Sequence, residues 1–264
     1  MENGNLHFAF LITLFAGLST GVGSALAVFT KKTNTKFLSS ALGLSAGVMI
    51  YVSFVELFPQ AIELMSESMP EQAALYTTIA FFAGIALIFI IDMLIPDADN
   101  PHELHKVEDM QKSLSSSLKR MGIMTALAIA IHNFPEGIAT FASAMVSPEL
   151  AIPIAVAIAI HNIPEGIAVS IPIYYSTGSR KKAFWLSLSS GMAEPIGGLV
   201  GFLILSPFLN SFVLGLIMAG VAGIMVYISV DELLPGAEKY GEHHYSIYGF
   251  IVGMAVMAVS LLIL

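Results

Sequence analysis

Runs of about twenty mostly apolar residues recur along the whole of this chain, the length a helix needs to cross the hydrocarbon core of a bilayer. Water is absent from that core, so each spanning segment must bond its own backbone N–H and C=O groups, which an α-helix does. Composition agrees: 56% of residues are hydrophobic and 11% charged, against about 25% charged in a soluble domain. The longest polar stretch, Pro96–Arg120, is too short to bury a core of its own. The expectation is an all-α integral membrane protein, one unit over residues 1–264, with the lipid bilayer as its surroundings. A net charge of −8 gives no reason to expect a nucleic-acid partner. The first Lys is Lys31, so no basic region precedes the first apolar run, and that run is expected to persist as a helix rather than be cleaved.

Hydropathy and helix breakers predict eight spans, roughly Leu6–Phe29, Phe37–Met65, Ala73–Ile95, Met121–Val146, Leu150–Tyr175, Ala183–Ser206, Ser211–Ala237 and Tyr245–Leu264. The basic residues test this division independently. Lys31, Lys32 and Lys36 fall in loop 1, and Lys106, Lys112, Lys119 and Arg120 in loop 3. Arg180, Lys181 and Lys182 fall in loop 5 and Lys239 in loop 7, which accounts for all 11 Lys and Arg residues. By the positive-inside rule, the odd loops are cytoplasmic and both termini lie outside.

Two segments recur. IAIHNFPEGIA at 129–139 returns as IAIHNIPEGIA at 158–168, and YVSFVELFPQA at 51–61 returns as YISVDELLPGA at 227–237. In the predicted topology the members of each pair run in opposite directions, so helices 1–3 are mirrored by 6–8 with 4 and 5 between them. Such a 3+2+3 inverted repeat is typical of secondary transporters, whose substrate site lies near the midplane at the repeat interface.

His132 and Glu136 stand at i and i+4, as do His161 and Glu165, a spacing that puts each pair on one helix face. An ionisable group at that depth costs at least a few kcal/mol unless something stabilises it. One such segment alone is equally well a buried His–Glu hydrogen bond at a kink. Two inverted copies favour a borderline divalent cation, which takes imidazole and carboxylate together. Cysteine is absent, so thiolate ligands are excluded. Pro135 and Pro164 remove the N–H groups that would bond the carbonyls of Ile131 and Ile160, and are expected to kink their helices. Asn133 and Asn162 add amide oxygens, while Gly137 and Gly166 permit close helix approach.

Glu194, in AEPIGG of span 6, is a third midmembrane carboxylate, either a ligand or hydrogen-bonded to neighbouring helices. Three carboxylates beside two imidazoles suffice for two adjacent metals. Glu56 and Glu232 are repeat mates toward opposite membrane faces, suited either to drawing cations along access paths or to resting near headgroups, with Ser53, Ser229 and Asp231 beside them. Loop 3 gathers Asp97, Asp99, His102, Glu103, His105, Glu108 and Asp109, a mixed polar run whose ordinary role is solvation. His243 and His244 in loop 7 have the same standing. The 14 Met residues read as apolar filler.

At HNFPEGIATF (132–141), HNIPEGIAV (161–169), SGMAEPIGG (190–198) and AGIMVYISVDELLP (222–235) the chain closely resembles the ZIP (zinc- and iron-regulated-transporter-like) family, in its bacterial branch. The likeness spans essentially the full length. It implies an eight-helix carrier of a bacterial inner membrane, both termini outside, importing zinc and in this branch also iron, manganese, cobalt or cadmium. It further implies a binuclear centre on helices 4, 5 and 6. One metal would take His132, Glu136, His161 and Glu165; the other Asn133, Glu136, Asn162, Glu165 and Glu194. Many members differ where this chain has His161 and Asn162. The metals are cargo, no other cofactor is implied, and a homodimer is compatible with this reading.

An intramembrane metallohydrolase would want an open metal position and a general base, as in HExxH, a motif this chain lacks. A metal sensor would want an output domain, for which 264 residues leave no room. Neither is expected, and the absence of a Walker A sequence points away from nucleotide-driven transport.

The charge alternation makes a direct prediction in a chain that has no cysteine of its own. A Cys introduced at Pro148 should react with an impermeant thiol reagent added outside sealed cells, and one at Ser179 should not. Equal labelling of the two would overturn the eight-span topology.

Overall fold

The structure, a computed structural model, describes residues 3–29, 35–94, 116–239 and 242–263; the side chains of a few residues inside helices, His132 among them, also lie outside the description. No strand occurs among the described residues, which form eight helical rods. These are α1 (Asn3–Phe29), α2 (Thr35–Ser66), α3 (Ala73–Leu94), α4 (Ser116–Val146), α5 (Pro148–Thr177), α6 (Arg180–Leu205), α7 (residues 211–239) and α8 (His243–Ile263). Six of them, α1, α2, α3, α6, α7 and α8, are long and apolar enough to cross a membrane. The other two, α4 and α5, have 31 and 30 residues and carry the HN[FI]PEG segments; in α5 an apolar stretch, Ala151–Ile167, runs through HNIPEG. The loop 3 cluster from Asp97 to Asp109 lies outside the described residues.

Local chemistry sets the ends and irregularities of these rods. Ser147 precedes Pro148 and caps α5 by accepting a hydrogen bond from the Glu149 N–H, with proline in the first turn where its missing N–H costs nothing. The same helix stops at Gly178, whose φ of 62° is the left-handed conformation that terminates helices. Helix α6 is interrupted at Met192, three residues before Pro195, which cannot donate to the Gly191 carbonyl. By contrast, α4 and α5 remain helical through Pro135 and Pro164.

The repeat at 51–61 and 227–237 contains a matched pair of π turns, Ser53–Leu57 in α2 and Ser229–Leu233 in α7. Phe58 N–H reaches back to Ser53 O, and Leu234 N–H to Ser229 O, one residue further than in an α-helix. Each wide turn leads directly into a proline, Pro59 or Pro235, whose ring an α-turn would crowd. Even the side-chain bonds match: Ser53 Oγ donates to Met49 O and Ser229 Oγ to Met225 O, both at 2.7 Å.

Helix packing follows the same twofold relation. The most extensive contacts join α2 to α7 and to α8, α4 to α6 and α1 to α5; α4–α6 is the repeat mate of α1–α5, and α3–α7 that of α2–α8. Two four-helix groups result, α1/α4/α5/α6 and α2/α3/α7/α8, meeting through α2 against α5 and α4 against α7. The correspondence is residue-specific. A Cβ on Gly47 of α2 would stand 2.1 Å from Phe250 O of α8, and one on the mate Gly223 of α7 would stand 2.0 Å from Phe81 O of α3. The outer faces of α3 and α8 carry exposed Leu75, Ile79, Phe82, Ile251, Val252 and Val259, an apolar rim suited to lipid.

Two glycines of α7 test this packing. A Cβ at Gly220 would meet nothing nearer than Ala80 O at 3.8 Å, whereas at Gly223 it would enter the α3 backbone. Gly220→Ala should therefore be neutral or stabilising by up to about 1 kcal/mol. Gly223→Ala should destabilise by about 1–3 kcal/mol, read as a lower Tm of the purified protein in detergent. Equal melting of the two variants would refute the close α3–α7 approach.

Candidate metal centre

The polar residues of the two HN[FI]PEG segments stand midway along α4 and α5, where the protein interior is otherwise apolar. Asn133 and Glu136 on α4, His161, Asn162 and Glu165 on α5, and Glu194 on α6 have no solvent exposure. What brings them together is the absence of a side chain at Gly137. A Cβ there would lie 2.0 Å from the carbonyl oxygen of Glu194, so α4 and α6 touch backbone to backbone beside the two carboxylates.

The contacts run between helices. His161 Nε2 lies 3.3 Å from Glu136 Oε2, so the imidazole of the second copy meets the carboxylate of the first. Asn162 Nδ2 donates both to Glu194 Oε1 and, at 3.0 Å, to the carbonyl of Ala16 on α1. Asn133 Nδ2 donates to Ser190 O on α6 at 3.4 Å. Ser45 Oγ of α2 donates to the His161 carbonyl at 3.3 Å, tying the other helix group to this segment.

In both asparagines the amide N–H groups are bonded to protein, which fixes where the amide oxygens point. Asn133 Oδ1, Asn162 Oδ1, Glu136 Oε1 and Glu194 Oε2 are all buried and have no hydrogen-bond partner among the described residues. Leaving such an acceptor unmet costs about 1–3 kcal/mol, more for a charged group. Four of them on three touching helices form a set of oxygens that a cation or water would satisfy. Among the described residues, no three His, Asp or Glu side chains are grouped closely enough to hold a metal by themselves. A metal here would draw on the amide oxygens as well; the side chain of His132 lies outside the description.

Other candidates stand apart. Glu56 is half-buried in the π turn of α2, accepting a bond from Gln60, and Glu232 is half-buried in the π turn of α7. His243 and His244 are exposed at the start of α8, with His243 Nδ1 2.9 Å from Glu238 Oε1. The contact of α1 with this group carries no motif in the sequence, because its part is played by the backbone carbonyl of Ala16. The available signal was the place of α1 as repeat mate of α6.

The family model for the ZIP zinc transporters matches residues 96–261. The chain is 60% identical to the zinc transporter ZupT of Chlorobium phaeovibrioides, covering 98% of this chain and 99% of that protein. It is 61% identical to the ZupT of Oceanobacillus iheyensis (98% and 99%) and 56% identical to that of Nitratidesulfovibrio vulgaris (100% and 99%).

The hydrogen bonds of the two asparagines differ in number and length, and this can be measured. Asn162→Leu strands one oxygen of Glu194 and removes one donor from the Ala16 carbonyl, so in metal-free detergent it should lose about 1–3 kcal/mol of stability. Asn133→Leu breaks a single long bond and should lose less. A larger Tm drop for Asn133→Leu would contradict the described network.

Proposed function

The chain belongs to the ZIP zinc transporter family, and from that premise we propose that it imports zinc, and with it iron, manganese, cobalt or cadmium, across a bacterial inner membrane. All eight helices span, as one unit over residues 1–264, with both termini outside and the basic loops in the cytoplasm. The cargo binds between α4, α5 and α6 in a binuclear centre. His132, Glu136, His161 and Glu165 hold one ion, and Asn133, Glu136, Asn162, Glu165 and Glu194 the other, with Glu136 and Glu165 bridging. The chain is a carrier and not an enzyme, in keeping with its family.

The observation that supports this reading most is the set of buried, unmet oxygens on Asn133, Asn162, Glu136 and Glu194, converging from three helices. A dehydrated divalent cation needs such oxygens to replace its hydration shell. The chemistry also suits release. A transport site must bind strongly enough to strip water and weakly enough to let go. Amide oxygens are weak neutral ligands, and the chain has no cysteine to supply a thiolate that would trap zinc. Three carboxylates facing one divalent ion leave a net charge of −1, and facing two leave +1, so neither loading state buries a large excess of charge.

Glu56 and Glu232 serve as access-path charges that raise the local cation concentration. Glu136→Gln and Glu165→Gln should each reduce isotopic zinc uptake into proteoliposomes by roughly 100-fold or more, since even outer-sphere partners of a metal cost 10–100-fold when removed. Glu56→Gln should slow uptake by less than about tenfold. Parental uptake by Glu136→Gln or Glu165→Gln at matched protein content would make those carboxylates structural and end this reading.

A further inference from the structure

The twofold relation that pairs α4 with α5 also pairs α6 with α1, and it can be read residue by residue. A Cβ on Gly137 of α4 would stand 2.0 Å from Glu194 O of α6, and one on its mate Gly166 of α5 would stand 2.0 Å from Thr20 O of α1. Likewise, a Cβ on Gly197 of α6 would lie 2.2 Å from Phe134 O, and one on Gly23 of α1 would lie 1.8 Å from Ile163 O, where Phe134 and Ile163 are mates. Thr20 precedes Gly23 by three residues as Glu194 precedes Gly197. Thr20 is therefore the inverted-repeat counterpart of Glu194.

Several buried helical hydroxyls here bond the carbonyl four residues back: Thr13 to Ala9, Thr140 to Glu136, Ser170 to Gly166. For Thr20 that carbonyl belongs to Ala16, which accepts instead from Asn162 Nδ2 at 3.0 Å and Ser19 Oγ at 2.6 Å. Thr20 Oγ1 is fully buried with no hydrogen-bond partner among the described residues, as are the hydroxyls of Ser24 and Ser143. It lies beside the segment of α6 that leads into Glu194, 2.6 Å from where a Cβ on Gly191 would be. The Asn162 amide that fills its expected acceptor is the same one that holds the Glu194 carboxylate.

We propose that the Thr20 hydroxyl is a further oxygen ligand of the transported metal, standing where the inverted repeat calls for a second Glu194, and that it helps set which divalent ion the centre prefers. This rests on the metal-centre reading above. A neutral oxygen at this position gives the cargo a ligand without a fourth buried negative charge. Hydroxyl oxygen is a hard donor, so losing it should penalise manganese most and cadmium least.

The test is competitive equilibrium binding of zinc, manganese and cadmium to the purified full-length protein. Thr20→Val keeps the shape and removes the hydroxyl; Thr20→Ser keeps the hydroxyl. Thr20→Val should weaken zinc binding by roughly tenfold and move the cadmium-to-manganese preference toward cadmium, with unchanged metal-free melting. Thr20→Ser should stay within about threefold of the parent on both readouts. Parental affinity and preference in Thr20→Val, while Glu136→Gln loses binding, would overturn the role of Thr20 and leave the centre standing. So would a loss in Thr20→Val that Thr20→Ser fails to restore. Parental binding by Glu136→Gln would remove the centre itself and Thr20 with it.

Discussion

A carboxylate removed from water into a helix bundle must be matched by donors or cations, and three of them, Glu136, Glu165 and Glu194, are fully buried here within one group of four helices. Much of the architecture serves that requirement. Helix α4 approaches α6, and α5 approaches α1, closely enough to exclude lipid and water, which is why glycine stands at 137 and 166. The amide of Asn162 bonds the Glu194 carboxylate to the backbone of α1, and His161 sits against Glu136 across the α4–α5 boundary. These bonds meet part of the electrostatic demand. Among the described residues they leave four buried oxygens unmet, on Asn133, Asn162, Glu136 and Glu194.

Duplication explains how one short chain builds such a site. Each helix contact has a mirrored copy, from the backbone approach of Gly47 to α8 and Gly223 to α3 to the matched π turns ahead of Pro59 and Pro235. A site on a pseudo-twofold between inverted halves sees similar surroundings toward either side of the membrane, which suits a passage. Departures from symmetry are concentrated at the centre. Asn162 bonds Ala16 and Glu194, while Asn133 bonds only Ser190 O, and a threonine on α1 answers a glutamate on α6. Packing residues keep the symmetry because both copies face the same steric problem. Polar positions between the copies are free to diverge because their partners come from different helices in each copy.

Glu56 and Glu232 show how far a repeat argument reaches. Their equivalence was visible in the sequence, and their shared π turns follow from the proline three residues on. Their half-buried setting, outside the central group of helices, separates them from the ligands proper.

The sequence by itself determined the helical class, the membrane as solvent, the inverted repeat and six of the residues that the structure places buried on α4, α5 and α6. These follow from local rules: the length of apolar runs, the cost of charge in lipid, and motifs repeated too fully to be packing alone. Tertiary structure decided who touches whom. The i,i+4 spacing puts His161 and Glu165 on one face of α5, while the 3.3 Å contact from His161 to Glu136 of the other copy exists only because α4 and α5 pack together there. The entry of α1 was likewise invisible, since its carbonyl at Ala16 and hydroxyl at Thr20 carry no motif. A side chain's type is written in the chain, whereas the partner that satisfies it is chosen only when helices distant in sequence pack.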